Sequence, residues 1–161
     1  MILGLSLAGF TVLHLVISMI AIGLGLIVAG GLLASNRLPG WTAWFLILTV
    51  VTSATGFLFP FTQILPSHIV AIISLVLLAI AVYALYGKGL TGIWRSVYVV
   101  TAMLALWFNV FVLIVQSFQK VALLNAYAPT GSEPPFAITQ GIVLLFFVFT
   151  IILGIRRFRP A

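Results

Sequence analysis

The sequence predicts an all-α fold: a polytopic membrane protein with a five-transmembrane-helix bundle, the N-terminus outside and the C-terminus cytoplasmic. Three observations carry that prediction. Of 161 residues, 64% are hydrophobic and only 5% charged, with a mean hydropathy of +1.38. Soluble domains carry about a quarter charged residues, so a surface this poor in charge belongs in lipid. Five separate apolar runs reach the ~20 residues needed to cross ~30 Å of hydrocarbon. The basic residues, finally, gather on one side of the topology that five spans dictate.

Residues 1–161 read as a single transmembrane helical domain. The first helix covers about 5–33. Its start lacks the basic n-region of a secretory signal, and its apolar run is too long for a signal core, so it reads as a retained span. Asn36-Arg37-Leu38-Pro39-Gly40 breaks it. The second helix covers about 41–59 and ends in Gly56-Phe57-Leu58-Phe59-Pro60. The third covers about 67–86, opening with Pro66-Ser67-His68 and closing at Gly87-Lys88-Gly89. The fourth covers about 94–119. The fifth covers about 136–155 and stops at Arg156-Arg157-Phe158-Arg159-Pro160.

With five spans, Arg37, Lys88, Arg95, Arg156, Arg157 and Arg159 share one side, and only Lys120 lies on the other. That bias follows the positive-inside rule and sets the orientation. Trp41, Trp44, Tyr83, Tyr86, Trp94 and Tyr98 are expected as an aromatic belt near the cytoplasmic ends. The pI near 10.6 then reports topology and contact with anionic membrane lipids. No basic, aromatic-interleaved segment exists that would track a nucleic-acid backbone.

Absences bound the chemistry. The chain has no cysteine, which excludes disulfides, thiolate nucleophiles, thiolate-bound metals and covalently attached c-type haem. Its one acid, Glu133, lies in the loop between the fourth and fifth helices, so no carboxylate relay spans the membrane and no Ser-His-Asp set can form. Two histidines with a distant glutamate make a poor zinc site. The sequence gives no catalytic residues, no metal ligands and little ground for an enzyme.

Polar residues mark helix interiors in a bilayer. Thr11, His14, Ser18, Ala21, Gly25 and Ala29 share a face of the first helix, and Thr42, Thr49, Ser53 and Gly56 share one on the second. Thr101, Ala105, Asn109, Gln116 and Lys120 share one on the fourth, while Thr139 and Gln140 open the fifth. At ~1.5 Å rise per residue, Gln116 lies about 6 Å below Lys120 and Asn109 about 16 Å below it. The candidate site is therefore an outer-leaflet pocket bounded by His14, Ser18, Gly56, His68, Gln116 and Gln140, with Asn125–Pro135 as a lid. His14 and His68 suit axial haem ligation, a metal or a quinone head group. The bland alternative is a pair of histidines hydrogen-bonded to neighbouring groups. The functions in view are an outer-leaflet pocket for a quinone, lipid or haem serving a larger membrane complex, an oligomeric channel or transporter, and an accessory subunit without a ligand.

The runs WTAWFLILTVVTSATGFLFPFTQILPSHIVAIISL, NVFVLIVQSFQKV and APTGSEPPF resemble a group of small hypothetical inner-membrane proteins of bacteria, over most of the chain. The resemblance implies a bacterial inner (plasma) membrane location and no particular activity.

Overall fold

A computed structural model describes residues 1–63 and 66–160; Ile64 and Leu65, within the connection between the second and third helices, and Ala161 lie outside it. Among the described residues, five helices are long and apolar enough to cross a bilayer. They are α1 (Leu7–Leu33), α2 (Pro39–Thr55), α3 (Pro66–Val82), α4 (Trp94–Lys120) and α6 (Pro134–Arg157), with a short α5 (Ala122–Tyr127) between the last two. A 3-10 turn, Gly56–Leu58, prolongs α2, and a π turn, Tyr83–Gly87, prolongs α3.

Local chemistry fixes the ends. Ser6 caps α1, its hydroxyl accepting from the Gly9 amide at 3.1 Å. At the other end Ser35 turns left-handed (φ 58°), and the Asn36 amide reaches back to the Gly31 carbonyl at 2.8 Å, closing a Schellman turn. The side chain of Leu38 then lies against Gly31, where a methyl group would collide with it. Pro39 begins α2 at the position where its missing N–H costs nothing. This turn sets α1 antiparallel to α2. Pro60 closes the extension of α2, and Glu133-Pro134 opens α6.

The helices close into a ring in which α1 packs on α2, α2 on α3, α3 on α4, α4 on α6 and α6 on α1; α4 also leans inward against α1 and α2. The core is concentrated towards the end that carries the arginines. Phe45, Leu78, Ala81, Val99, Ala102, Met103, Ala105, Leu106 and Phe147 are buried there. Gly25 allows the closest approach, for a Cβ at that position would run into Leu106 and lie 2.9 Å from Phe45. From Trp107 to Ser117, by contrast, every α4 residue is only partly buried. The bundle is tight at the arginine end and looser at the histidine end.

Three details differ from the sequence reading. Tyr98 is not in an aromatic belt but fully buried, 6.1 Å from Phe158 between ring centroids, because the chain after α6 folds back and plugs the arginine end. The Arg159 amide completes that plug, donating to the Ser35 hydroxyl at 2.8 Å. The buried hydroxyl near the end of α2 belongs to Thr52 rather than Ser53. Part of the loop expected after α4 is the helix α5, tied back by the Asn125 amide to the Phe118 carbonyl at 3.2 Å.

Candidate functional site

The histidine end is built around the α1–α2 hairpin and the connection that follows it. His14, on α1, places Nδ1 2.9 Å from the Thr55 hydroxyl at the end of α2. Thr55 has one hydroxyl proton, and its oxygen lies 2.7 Å from the Val51 carbonyl, to which it donates. The hydroxyl therefore accepts from the imidazole. That assigns the Nδ1–H tautomer to His14 and leaves Nε2 as a lone-pair acceptor, with no protein partner among the described residues. Phe59 packs edge-on against the imidazole, 5.2 Å away at 89°, and Phe10 against Phe59 at 4.9 Å. The ring is held at Nδ1 and steadied by aromatic contact, while the Nε2 edge remains available.

His68 occupies the first turn of α3 and is buried. Phe57 stacks on it (5.4 Å, 22°) and Phe61 leans over it (4.4 Å, 51°). The Gly56–Phe61 connection thus sends Phe59 to one histidine and Phe57 and Phe61 to the other. Gly56 itself is helical, and a Cβ there would meet nothing within 4 Å, so its value is not in admitting a close neighbour.

The other predicted members take different places. Ser18 is buried one turn below His14, and its hydroxyl donates to the His14 carbonyl at 2.8 Å instead of facing the imidazole. Gln140 joins α6 to α4, donating Nε2 to the Phe111 carbonyl at 3.2 Å. Its Oε1 is buried without a partner. Gln116 is half-buried and makes no side-chain hydrogen bond among the described residues. Lys120, at the end of α4, is exposed and within electrostatic reach of His14. Glu133 does not pair with it. The Glu133 carboxylate accepts from the Thr130 hydroxyl (2.8 Å), the Thr130 amide (3.0 Å) and the Ser132 amide (3.1 Å). The Thr130 hydroxyl, first among these, holds the carboxyl well below its ordinary value, at about 2. The expected lid is thereby a self-bonded turn.

Several unpaired polar atoms point to what this end lacks. Thr49, Thr55, Thr101 and Thr150 spend their hydroxyl protons on the carbonyl four residues back. Thr52 does not, and its buried hydroxyl has no partner. The Trp107 indole nitrogen and the Asn109 amide nitrogen, near the middle of α4, are buried and unpaired as well. Such groups are rare in native interiors and call for a water or ligand. Sequence reasoning missed Thr55, Thr52 and Phe59. The hairpin itself was the signal for Thr55, because residues equidistant from its turn face each other.

Among the described residues no group of three or more His, Cys, Asp or Glu is placed to hold a metal ion. Comparison with protein-family models, with characterised proteins and with solved structures finds no match to this chain.

Proposed function

We infer that this protein is a multi-pass protein of a bacterial inner membrane which binds a small amphipathic molecule at its histidine end, the N-terminal and outer side. In this reading it serves a larger membrane complex. The observation that carries the reading is the His14–Thr55 hydrogen bond, which fixes one imidazole nitrogen and presents the other as an acceptor. The unpaired groups of Thr52, Asn109, Gln116 and Gln140 add donors and acceptors in the same half of the bundle. A ligand with a hydroxyl or quinol-type head group and an apolar tail matches that set: its O–H donates to Nε2, its oxygens take the amides, and its tail remains in lipid. A lipid head group would use the same atoms. The haem form of the reading is weaker, since His14 and His68 rest on different aromatic partners.

Native mass spectrometry of the detergent-extracted protein tests this. A bound small molecule retained by the wild type and lost in His14→Ala supports the reading. A bare polypeptide mass in the wild type, or a ligand retained equally by His14→Ala, overturns it. An oligomeric channel would instead announce itself by solute flux into proteoliposomes, and an accessory subunit by co-purified partners with no small molecule.

A further inference from the structure

A second feature lies at the opposite end of the molecule, in the seam between α1 and α2. Ile20 and Leu24 of α1 with Gly40, Trp41, Trp44 and Leu48 of α2 line an open groove of about 430 Å³. Apart from the two indole N–H groups, every lining side chain is apolar. Trp41 and Trp44 are large and exposed, 50% and 60%, and they stand where tryptophan favours the interface between hydrocarbon and head groups. From Trp41 to Leu48 the groove runs about 10 Å along the helix axis, into the hydrocarbon and away from the α1–α2 turn. That turn carries Arg37, and the hydrogen bond from the Arg159 amide to Ser35 brings a second arginine to it. Both arginines are exposed.

Charge decides the occupant. The chain has seven basic residues and one acid. The acid, Glu133, is engaged by Thr130 and Ser132 at the far end of the bundle. No side-chain carboxylate of this chain therefore neutralises Arg37 and Arg159. A neutral or zwitterionic lipid would fill the groove but leave that charge uncompensated. An anionic phospholipid satisfies both parts at once, its phosphate between the guanidiniums and one acyl chain along Trp41, Trp44 and Leu48.

We propose that the α1–α2 groove is a binding site for one anionic phospholipid, held at the head group by Arg37 and Arg159 and along the chain by Trp41 and Trp44. The site is separate from the histidine end and does not depend on what binds there. It also gives the tail after α6 a function beyond plugging the core, since the tail delivers Arg159 to the lipid.

The test uses the full chain in phosphatidylcholine vesicles doped, at equal low mole fraction, with bromo-acyl phosphatidylglycerol or bromo-acyl phosphatidylcholine, reading quenching of tryptophan fluorescence. The phosphatidylglycerol form should quench more strongly in the wild type. Arg37→Gln and Arg159→Gln should each reduce its apparent affinity by about five-fold, the equivalent of the ~1 kcal/mol that a basic residue contributes at an anionic surface. Lys88→Gln, whose ammonium lies against Tyr83 and Trp94 instead, should leave the preference intact. In the double variant Trp41→Phe, Trp44→Phe the excess quenching should vanish, since Trp94 and Trp107 lie elsewhere. Equal quenching by the two lipids, a preference that survives the double arginine variant, an equal loss in Lys88→Gln, or excess quenching that persists without Trp41 and Trp44 would each overturn the proposal. All the charge substitutions are at exposed side chains, and far-UV circular dichroism checks that the variants fold.

Discussion

Replacing Thr55 by valine removes one oxygen and keeps the shape of the side chain. Its hydrogen bonds go with it, the donation to the Val51 carbonyl at 2.7 Å, shared with the Thr52 carbonyl at 3.2 Å, and the one from His14 Nδ1 at 2.9 Å. The Val51 carbonyl retains its ordinary helical partner, so the loss falls on the histidine. Hydrogen bonds between membrane helices are worth ~0.6 kcal/mol on average and ~1.7 at most, and Thr55→Val should cost about that average in unfolding free energy. The tautomer should respond more sharply. With no acceptor at Nδ1, the proton is free to move to Nε2, turning the presented nitrogen from acceptor into donor. A ligand that donates to Nε2 then faces a mismatched donor, a penalty of ~1–3 kcal/mol, or about five-fold to a hundred-fold in affinity. Nitrogen-15 NMR of histidine-labelled protein in micelles reads the tautomer directly, with His68→Gln assigning the His14 signals. The wild type should show Nδ1–H with a bare Nε2, Thr55→Ser should preserve that pattern, and Thr55→Val should lose it. A wild-type His14 protonated on Nε2, or a Thr55→Val spectrum unchanged from wild type, would refute the reasoning.

Two further outcomes follow from packing and charge. Gly25→Ala drives a methyl into Leu106 and against Phe45, both fully buried and unable to yield; overpacking costs ~1–3 kcal/mol against ~1 kcal/mol gained in helix propensity. It should unfold at lower denaturant than Gly23→Ala, where a Cβ meets nothing within 4 Å, and Leu106→Ala should cost less stability in the Gly25→Ala background than in the wild type. For the loop before α6, the Glu133 carboxyl falls from an ordinary value of 4.5 to about 2 in the folded protein. A depressed carboxyl stabilises the loop fully above pH 4.5 and loses that contribution as pH falls through about 2. Hydrogen exchange at the Thr130 and Ser132 amides should stay slow down to that range in the wild type and be fast already at neutral pH in Glu133→Gln; equal protection in the two proteins would contradict the assignment.

The five spans were legible because apolar runs of this length in so weakly charged a chain have no other home, and because Asn36–Gly40 and Gly87–Gly89 punctuate them plainly. What resisted reading was rotation about each helix axis. In a bilayer both faces of a helix are apolar, so periodicity loses its contrast and packing decides which side turns inward. Tyr98 illustrates this: it sits near a helix end, where an interfacial tyrosine is expected, yet α4 leads the bundle core and Phe158 folds over it. Thr52 and Ser53 differ by one position, and the register of α2 against α1 chose the former. That register comes from the turn, where Leu38 lies on Gly31, and it propagates through Phe45 opposite Gly25 to Thr55 opposite His14. Counting depth along separate helices reaches Gly56, one residue away; counting outward from the hairpin turn reaches Thr55 itself.

The distribution of packing within the bundle bears on what the histidine end can do. Among the described residues, Arg95 Nε is unpaired at the arginine end, and the buried polar atoms of Asn109, Thr52 and Gln140 that lack partners lie from the middle of α4 towards His14, where α4 is only partly buried. Beyond them, towards the arginines, Phe45, Val99, Ala102, Met103, Leu106 and Phe147 pack into a continuous apolar layer, and Phe158 covers its end. An ion or polar solute entering among the unpaired amides would meet a layer in which the Thr49, Thr101 and Thr150 hydroxyl protons are already spent on the carbonyl four residues back, leaving little to replace its water, at a cost of several kcal/mol for each polar group left unsatisfied. Passage through a single copy is therefore opposed by the same residues that hold the bundle together. Transport would require a path between copies, along faces such as Ile138, Ile142, Leu145 and Phe149 of α6, and these are wholly apolar.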